Sequence, residues 1–266
     1  MRTDGPGPAG AKGGRLSTEI APEPRAPAGA SPCAGCGLRR LPPCEAVPPD
    51  QLEHLAAARC MVTLDRRQAL FFEGEPARHV FLLTAGTIMI SKLTFDGRRQ
   101  VVGFLFAGDF LGFAHDDAYT YGAEALSGAT LCRFRREGFE ALMARFPAMA
   151  AHLLRLANHE LTSAQDQMLL LGRKTAREKL ASFLLVLSER AGRSARAQDV
   201  LFLAMPRCDI ADYLGLSAET VSRALRSLAE DRLIRVCSTQ RVQILDREGL
   251  VHCASCGGPA PLRATG

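Results

Sequence analysis

Residues 205–236, MPRCDIADYLGLSAETVSRALRSLAEDRLIRV, decide the fold of the C-terminal part of the chain. They predict two short helices that meet at Gly215, because glycine readily adopts the left-handed backbone of a tight helix-to-helix turn. Ser217 stands where it can cap the second helix, and Val221 and Leu225 recur at the spacing of one buried helix face. The stretch therefore predicts a helix-turn-helix.

The outward face of the second helix carries side chains that can read DNA. When a helix lies in the major groove, arginine donates two hydrogen bonds to guanine and glutamate accepts one from the amino group of cytosine. A helical hairpin with a solvated polar face is the alternative interpretation. The predicted DNA-contacting residues are Glu219, Thr220, Ser222, Arg223 and Arg226.

Two short apolar runs follow the second helix. Residues 233–236 and 241–245 alternate in the manner of strands, which predicts the hairpin of a winged helix. This module resembles the DNA-binding domain of the CRP/FNR regulators, and residues 219–223, ETVSR, match the recognition helix of the FNR branch. The resemblance implies half-sites of the TTGAT type, whose bases are read by Glu219, Ser222 and Arg223.

Length and composition predict a globular protein with two cores. The chain has 266 residues, 47% of them hydrophobic, and no run approaches the roughly 18 apolar residues of a membrane span. No signal-like segment opens it, so we expect a cytoplasmic protein without a membrane partner. Its nine cysteines are then expected to be thiols or metal ligands rather than disulfides. The net charge of +5 is compatible with nucleic-acid binding but does not establish it.

Three of the cysteines, Cys33, Cys36 and Cys44, lie in a Gly- and Pro-rich segment with the spacing C-x2-C-x7-C. No regular structure holds them apart, so they can converge on one centre, and thiolates suit zinc or an iron-sulfur cluster. Fortuitous solvated thiols are the alternative. A closed site needs a fourth ligand, and the spacing alone leaves six candidates open: Cys60, Cys132, Cys208, Cys237, Cys253 and Cys256.

Residues 61–139 contain many short apolar or alternating runs divided by turns, of which Asp96-Gly97 is a strong hairpin signal. They predict a compact antiparallel barrel or roll, and they resemble the jelly-roll sensor domain that CRP/FNR proteins share with cyclic-nucleotide-binding modules. The stretch 111–125, LGFAHDDAYTYGAEA, contains Asp116 and Asp117, which would repel a phosphate. We therefore expect no cyclic nucleotide.

Cys132, in the predicted strand of residues 130–134, falls where FNR-type sensors place their central cluster cysteine. From the residues alone, a buried strand thiol beside Phe134 is the alternative. The resemblance implies that a [4Fe-4S] cluster is held, in the absence of oxygen, by Cys33, Cys36, Cys44 and Cys132. The x7 spacing is longer than in the best-known members and resembles a branch found with photosynthetic and nitrogen-fixing lifestyles.

A long helix is predicted from Pro147, with apolar residues at the first and fourth positions of three successive heptads. Packing of this helix on its own barrel is the alternative, but a two-fold DNA-binding protein needs a dimer. We therefore predict a dimerisation helix whose contact residues are Leu154, Ala157, Leu161, Ala164, Met168 and Leu171.

Together these parts predict an α+β protein with an N-terminal jelly-roll (cyclic-nucleotide-binding-like) β-roll, a long dimerisation helix and a C-terminal winged helix-turn-helix. The expected boundaries are a disordered tail at 1–30, a cysteine-rich arm at 31–50, the β-roll at 51–146, the dimerisation helix at 147–172, the winged helix-turn-helix at 173–250 and a C-terminal tail at 251–266.

By the same resemblance, the chain is an oxygen-responsive transcriptional regulator, mainly an activator. The resemblance also implies that it binds palindromic double-stranded DNA as a homodimer and contacts RNA polymerase, through loops such as residues 94–99. The alternatives keep the DNA-binding architecture and change the sensor to a structural zinc, a haem that responds to nitric oxide, or a disulfide switch at Cys33-Cys36 or Cys253-Cys256. The sequence contains no Ser/His/Asp or paired-carboxylate pattern, so we do not expect an enzyme.

Overall fold

The computed structural model describes Cys33 and residues 44–113, 117–192 and 200–255. The predicted tail of residues 1–30 lies outside this part of the chain, as do Cys36, Cys256 and Asp116.

Two four-stranded antiparallel sheets form the N-terminal β-roll, which confirms the predicted jelly-roll architecture. One sheet has the strand order β1-β8-β3-β6, and the other has the order β2-β7-β4-β5. Burial alternates most clearly along residues 122–125, because successive side chains of a strand point to opposite faces. The strands are β1 (Arg59–Leu64), β2 (Ala69–Phe71), β3 (His79–Ala85), β4 (Ile88–Leu93), β5 (Arg99–Leu105), β6 (Phe110–Leu111), β7 (Gly122–Ala125) and β8 (Ala129–Arg135).

Three helices flank the β-roll: α1 (Leu52–Ala58), α2 (Arg136–Arg145) and α3 (Pro147–Arg173). Helix α3 has 27 residues, so it is about 40 Å long at roughly 1.5 Å per residue. Proline at its first position is favourable because that amide has no partner within the helix. This helix occupies the place predicted for the dimerisation helix.

The C-terminal module consists of helices around a three-stranded sheet, and we call it the DNA-binding module. The predicted hairpin is the β10-β11 part of that sheet, and β9 adds a third strand on the other side of β11. Its elements are α4 (Ala176–Gly192), β9 (Val200–Phe202), α5 (Arg207–Leu214), α6 (Ala218–Glu230), β10 (Ile234–Ser238), β11 (Arg241–Ile244) and α7 (Arg247–Ala254).

Helix α7 corrects the sequence-based prediction that the chain is tail-like beyond Asp246 and forms a tail from residue 251. The side chain of Asp246 caps this helix by accepting a hydrogen bond from the backbone N–H of Gly249 at 2.9 Å. Leu250 and Ala254 are buried, and the helix contacts α4. Two buried apolar positions in eight residues are too few for a clear periodic signal, so tertiary packing decides this element.

The buried apolar residues form three clusters. One fills the β-roll. The second lies in the DNA-binding module and continues into strands β4 and β5 through Met89, Val101 and Phe104, so the β-roll and the DNA-binding module share a core. The third, which we call the arm cluster, joins the N-terminal arm to the β-roll and the start of α3; its principal members are Cys33, Cys44, Val47, Leu55, Leu82, Cys132, Phe134, Phe139, Phe146 and Met149.

Candidate functional site

Helix α6 is built as the sequence predicts. Gly215 has a φ of +62° and ends α5, while the Ser217 hydroxyl oxygen accepts a hydrogen bond from the backbone N–H of Thr220 at 3.1 Å and caps α6. Val221 and Leu225 are buried in the core of the DNA-binding module. The opposite face of α6 is consequently turned to solvent.

Four of the five predicted DNA-contacting residues are exposed on that face: Glu219, Ser222, Arg223 and Arg226. The fifth, Thr220, is half-buried, and its hydroxyl shares a 2.8 Å hydrogen bond with the Ser217 hydroxyl. Among the residues that the structure describes, neither arginine forms an ion pair, so both guanidinium groups are available to a ligand. Their role in reading bases stays a prediction.

An apolar stripe runs along α3. The exposed fractions of Leu154, Leu161 and Met168 are 64%, 60% and 70%, and Leu171 is 39% exposed. Ala157 and Ala164 are exposed between them, so all six predicted dimerisation residues lie on the solvent side of the helix. Large apolar side chains grouped on a surface usually mark an interaction site. The stripe is suited to a second copy of α3, and this pairing stays a prediction.

Three of the four predicted cluster ligands belong to the arm cluster. Cys33 and Cys132 are buried and Cys44 is half-buried. Cys132 lies on the central strand β8, opposite Met61 of β1 and Leu82 of β3. The fourth ligand, Cys36, lies outside the described residues. Within the described ranges, no three His, Cys, Asp or Glu side chains already form a group that could hold a metal ion.

Arg59, the first residue of β1, contacts two of these cysteines. Its Nη1 donates a hydrogen bond to the Sγ of Cys132 over 3.9 Å, and its guanidinium also interacts with Cys33. Burial alone would lower the pKa of Arg59, but its charge interactions and hydrogen bonds with Cys132 and Cys33 outweigh burial and raise that pKa. The sequence offered no signal for this residue, because the contact depends on the pairing of two strands far apart in the chain.

The donor set of the arm cluster fits a soft metal centre. Thiolates are the ligands that iron-sulfur clusters and zinc prefer, and the apolar surroundings limit access of water. The buried Nε of Arg59 finds no hydrogen-bond acceptor among the residues described, so the site still has a donor to offer. Of the other candidate ligands, Cys208, Cys237 and Cys253 lie in the DNA-binding module and Cys60 is half-buried on β1.

The arm is in contact with the first turns of α3. A 3-10 turn at Cys44–Ala46 contacts that helix, and Val47 is packed with Phe146 and Met149 in the arm cluster. The charge of Glu45 also acts on His152, whose pKa is lowered mainly by burial and by Arg155. A change at the cysteines can therefore reach the base of α3 through side chains in direct contact.

A second contact joins the β-roll to the DNA-binding module. Arg99 forms ion pairs with Asp209 and Asp212, and Arg67 lies 3.4 Å from the Oδ2 of Asp209. That oxygen accepts no hydrogen bond within the described part of the chain, so its interaction with Arg67 is a charge contact without hydrogen-bond geometry. The burial of Asp209 at a contact between the β-roll and the DNA-binding module could not be predicted from the local sequence.

Aromatic side chains occupy the interior of the β-roll. The rings of Phe71 and Tyr119 are stacked with centroids 3.8 Å apart, and Phe81 and Tyr121 lie against Phe71 at 5.8 Å. The expectation that no cyclic nucleotide binds stays a prediction, because part of the loop on which it rests lies outside the described residues.

Two family models match the chain. Residues 61–146 match the cyclic nucleotide-binding domain, and residues 178–253 match the Crp-like helix-turn-helix domain. The transcriptional activatory protein AadR of Rhodopseudomonas palustris is 40% identical over 211 residues, which cover 79% of this chain and 88% of that protein.

This chain belongs to the CRP/FNR family of transcriptional regulators.

Other members of the CRP/FNR family are similar over most of their length. The nitrogen fixation regulation protein FixK of Azorhizobium caulinodans is 40% identical over 197 residues, covering 74% of this chain and 79% of that protein. The structure of FixK2 from Bradyrhizobium japonicum matches with a TM-score of 0.69 and 32% identity, covering 75% of this chain and 99% of that chain. The names of AadR and of FixK from Azorhizobium caulinodans are those of regulatory proteins, in agreement with the expectation that the chain is not an enzyme.

Membership of the CRP/FNR family supports double-stranded DNA and a second copy of the chain as partners. Within the described ranges, the helices are too short or too polar to span a bilayer.

Proposed function

We propose that this CRP/FNR regulator is an oxygen-responsive activator that binds TTGAT-type inverted repeats as a dimer while Cys33, Cys36, Cys44 and Cys132 hold a [4Fe-4S] cluster. The observation that carries the proposal is the burial of Cys33 and Cys132 in one cluster, where both contact Arg59. A cysteine of the arm and a cysteine of β8 are thereby already neighbours, although they are far apart in the sequence.

The bound cluster would supply a crosslink between arm and β-roll that oxygen can break. In its presence, the four thiolates tie the arm to the central strand β8. The arm then packs through Val47 against Phe146 and Met149 at the base of α3. When oxygen removes the crosslink, the arm loses its tie to β8 and is held less firmly at the base of α3.

The state of the arm biases α3 toward or away from pairing. Met149 is buried in the arm cluster, and the exposed stripe of α3 begins at Leu154, about one turn further along the helix. The arm changes the free energy needed to order the start of α3. A small change of this kind is enough to shift a monomer-dimer equilibrium, since each ~1.4 kcal/mol changes an equilibrium constant about tenfold. Oxygen thus controls the fraction of dimer.

The dimer presents two copies of α6 to DNA. Two-fold symmetry places the helices about one turn of DNA apart, so that each enters a major groove of a palindromic site. Arg223 and Glu219 are exposed and can reach base edges, with Arg226 available to bases or phosphates. The hairpin tip near Phe95, which is fully exposed, is the surface that we assign to RNA polymerase in the cytoplasm.

The experiment compares Cys132→Ala with Cys237→Ala, a matched change at an exposed cysteine of the DNA-binding module. Both proteins are purified without oxygen and analysed for iron, acid-labile sulfide and DNA affinity. We expect Cys132→Ala to lose iron, sulfide and high-affinity DNA binding while its far-UV circular dichroism is unchanged, and Cys237→Ala to keep all of them. A fully active, iron-loaded Cys132→Ala protein contradicts the proposal. If the unchanged protein contains zinc in place of iron and sulfide, the cysteines form a structural zinc site instead.

A further inference from the structure

Arg59 lies beside the cysteines because of the register between β1 and β8. Arg59 is opposite Phe134, and Met61, two residues along on the same face, is opposite Cys132. The Arg59 side chain extends from this edge to the Sγ of Cys132 at 3.9 Å and to Cys33 of the arm. Its guanidinium therefore touches both segments that the proposed cluster would join.

Within the described part of the chain, the charge of Arg59 has no Asp or Glu partner. No carboxylate within the described ranges lies at ion-pair distance from it, whereas several other partly buried arginines, such as Arg99 and Arg190, each pair with Asp or Glu. A partly buried cation is unfavourable in apolar surroundings unless an anion is close by. The position therefore suits a negatively charged group.

One donor of the same guanidinium is also unused. The Nε of Arg59 is buried and has no hydrogen-bond acceptor among the residues that the structure describes. Buried donors are almost always satisfied in folded proteins, so an orphaned one inside a candidate ligand site indicates an acceptor supplied by a ligand. Sulfur atoms of an iron-sulfur centre are acceptors of this kind, and hydrogen bonds to them tune the centre.

We propose that Arg59 is a positioning residue for the [4Fe-4S] cluster: its guanidinium donates hydrogen bonds to the sulfurs of Cys33 and Cys132, and its positive charge stabilises the anionic centre. The inference rests on the proposed function and adds a residue that the four-cysteine pattern does not contain. Arginine is suited to this task because its planar fork offers several donors in a fixed geometry, whereas lysine offers a compact charge on a flexible stem.

The test uses the full chain, purified without oxygen, as wild type, Arg59→Gln and Arg59→Lys, with Arg66→Gln as control. Arg66 is an exposed arginine just after β1, so its replacement removes the same charge without touching the cysteines. Two quantities are measured: the rate at which a chelator removes iron in the absence of oxygen, and the midpoint potential of the cluster. The unfolding temperature of each metal-free protein reports any purely structural effect.

We expect Arg59→Gln to release iron about tenfold faster than wild type, since loss of a residue that supports metal ligands typically weakens a site about 10- to 100-fold. Its midpoint potential moves to a more negative value, because the reduced cluster carries one more negative charge and gains more from a nearby cation. Arg59→Lys keeps the charge and loses the fork, so its potential stays closer to wild type while its iron is released faster. Arg66→Gln matches wild type in both.

An Arg59→Gln protein with the wild-type release rate and potential overturns the assignment of Arg59, and leaves the oxygen-sensing proposal standing. A wild-type chain without iron and sulfide contradicts the oxygen-sensing proposal itself. If Arg59→Gln fails to fold, Arg59→Lys carries the test: faster iron release supports the inference, and a wild-type rate overturns it.

Discussion

The guanidinium of Arg99, on strand β5, is paired with the carboxylate of Asp209, on the first helix of the helix-turn-helix. The Asp209 side chain is 1% exposed and the Arg99 side chain is 31% exposed, so the carboxylate of this ion pair is buried while the guanidinium side is partly open to water. Gln100 adds a hydrogen bond from its side chain to the backbone oxygen of Asp212 on the same helix. The β-roll therefore holds the DNA-binding module in a defined orientation through polar contacts as well as through the shared apolar core.

Replacing Arg99 with Met leaves Asp209 buried with the charge contact of Arg67 and a weak hydrogen bond from the Cys208 thiol. We expect the free energy of unfolding to fall by roughly 2 kcal/mol, less than for loss of a fully buried ion pair because Arg67 remains and Arg99 is partly exposed. Urea denaturation measures the change, with Arg98→Met as control, since Arg98 is 82% exposed and pairs with the exposed Asp96. Equal midpoints for the two variants would show that the Arg99 ion pair contributes nothing.

Arg223 is predicted to donate to a base from the exposed face of α6. We expect Arg223→Met to weaken binding to a TTGAT inverted repeat by about tenfold or more, because a good bidentate contact is worth roughly 1–3 kcal/mol of discrimination. Binding to an unrelated sequence changes much less. Fluorescence anisotropy at one fixed salt concentration measures both, and Glu230→Gln, at the end of the same helix, is the control. An equal loss on both DNA sequences indicates a phosphate contact instead.

The exposed stripe of α3 gives a prediction about assembly. A glutamate at position 161 would bring a charge into the paired seam, so we expect Leu161→Glu to be monomeric and to lose high-affinity binding to the palindrome. Thr162→Glu adds the same charge to an exposed neighbour away from the predicted contact positions, and we expect it to keep the dimer. Analytical ultracentrifugation measures the oligomeric state of both variants, and a dimeric Leu161→Glu protein contradicts the predicted seam.

His79 predicts a pH dependence of stability. Burial and then the positive charges of Arg133, Arg135 and Arg78 lower the pKa of this imidazole. The unfolded chain then binds more protons at this site than the folded chain, so the free energy of unfolding declines as pH falls below about 6.5. We expect His79→Gln to flatten this decline, measured by urea denaturation at a series of pH values. Parallel pH profiles for the two proteins would rule out a contribution from His79.

The sequence anticipated the elements whose signals are local. Gly215, Ser217 and the spacing of Val221 and Leu225 define the helix-turn-helix within a few residues of one another, and they are found as expected. The heptad pattern of α3 predicted a seam for dimer contact. Its six residues are exposed in the single chain, and their pairing stays a prediction.

Contacts between distant parts of the chain could not be predicted from the sequence. Arg59 meets Cys132 across 73 positions, and Arg99 meets Asp209 across 110. Neither pair follows from composition or period, because strand register and domain packing create both. Helix α7 was missed for a related reason: its stability comes from packing on α4 and from the Asp246 cap.

The most direct test of the central claim is the iron, sulfide and zinc content of the protein purified without oxygen, followed by its absorption spectrum, dimer fraction and DNA affinity as air is admitted. The account predicts about four irons and four sulfides per chain, lost in air together with the dimer and with DNA binding. Zinc or no metal, with DNA binding indifferent to air, would contradict the oxygen-sensing account while leaving the DNA-binding regulator in place.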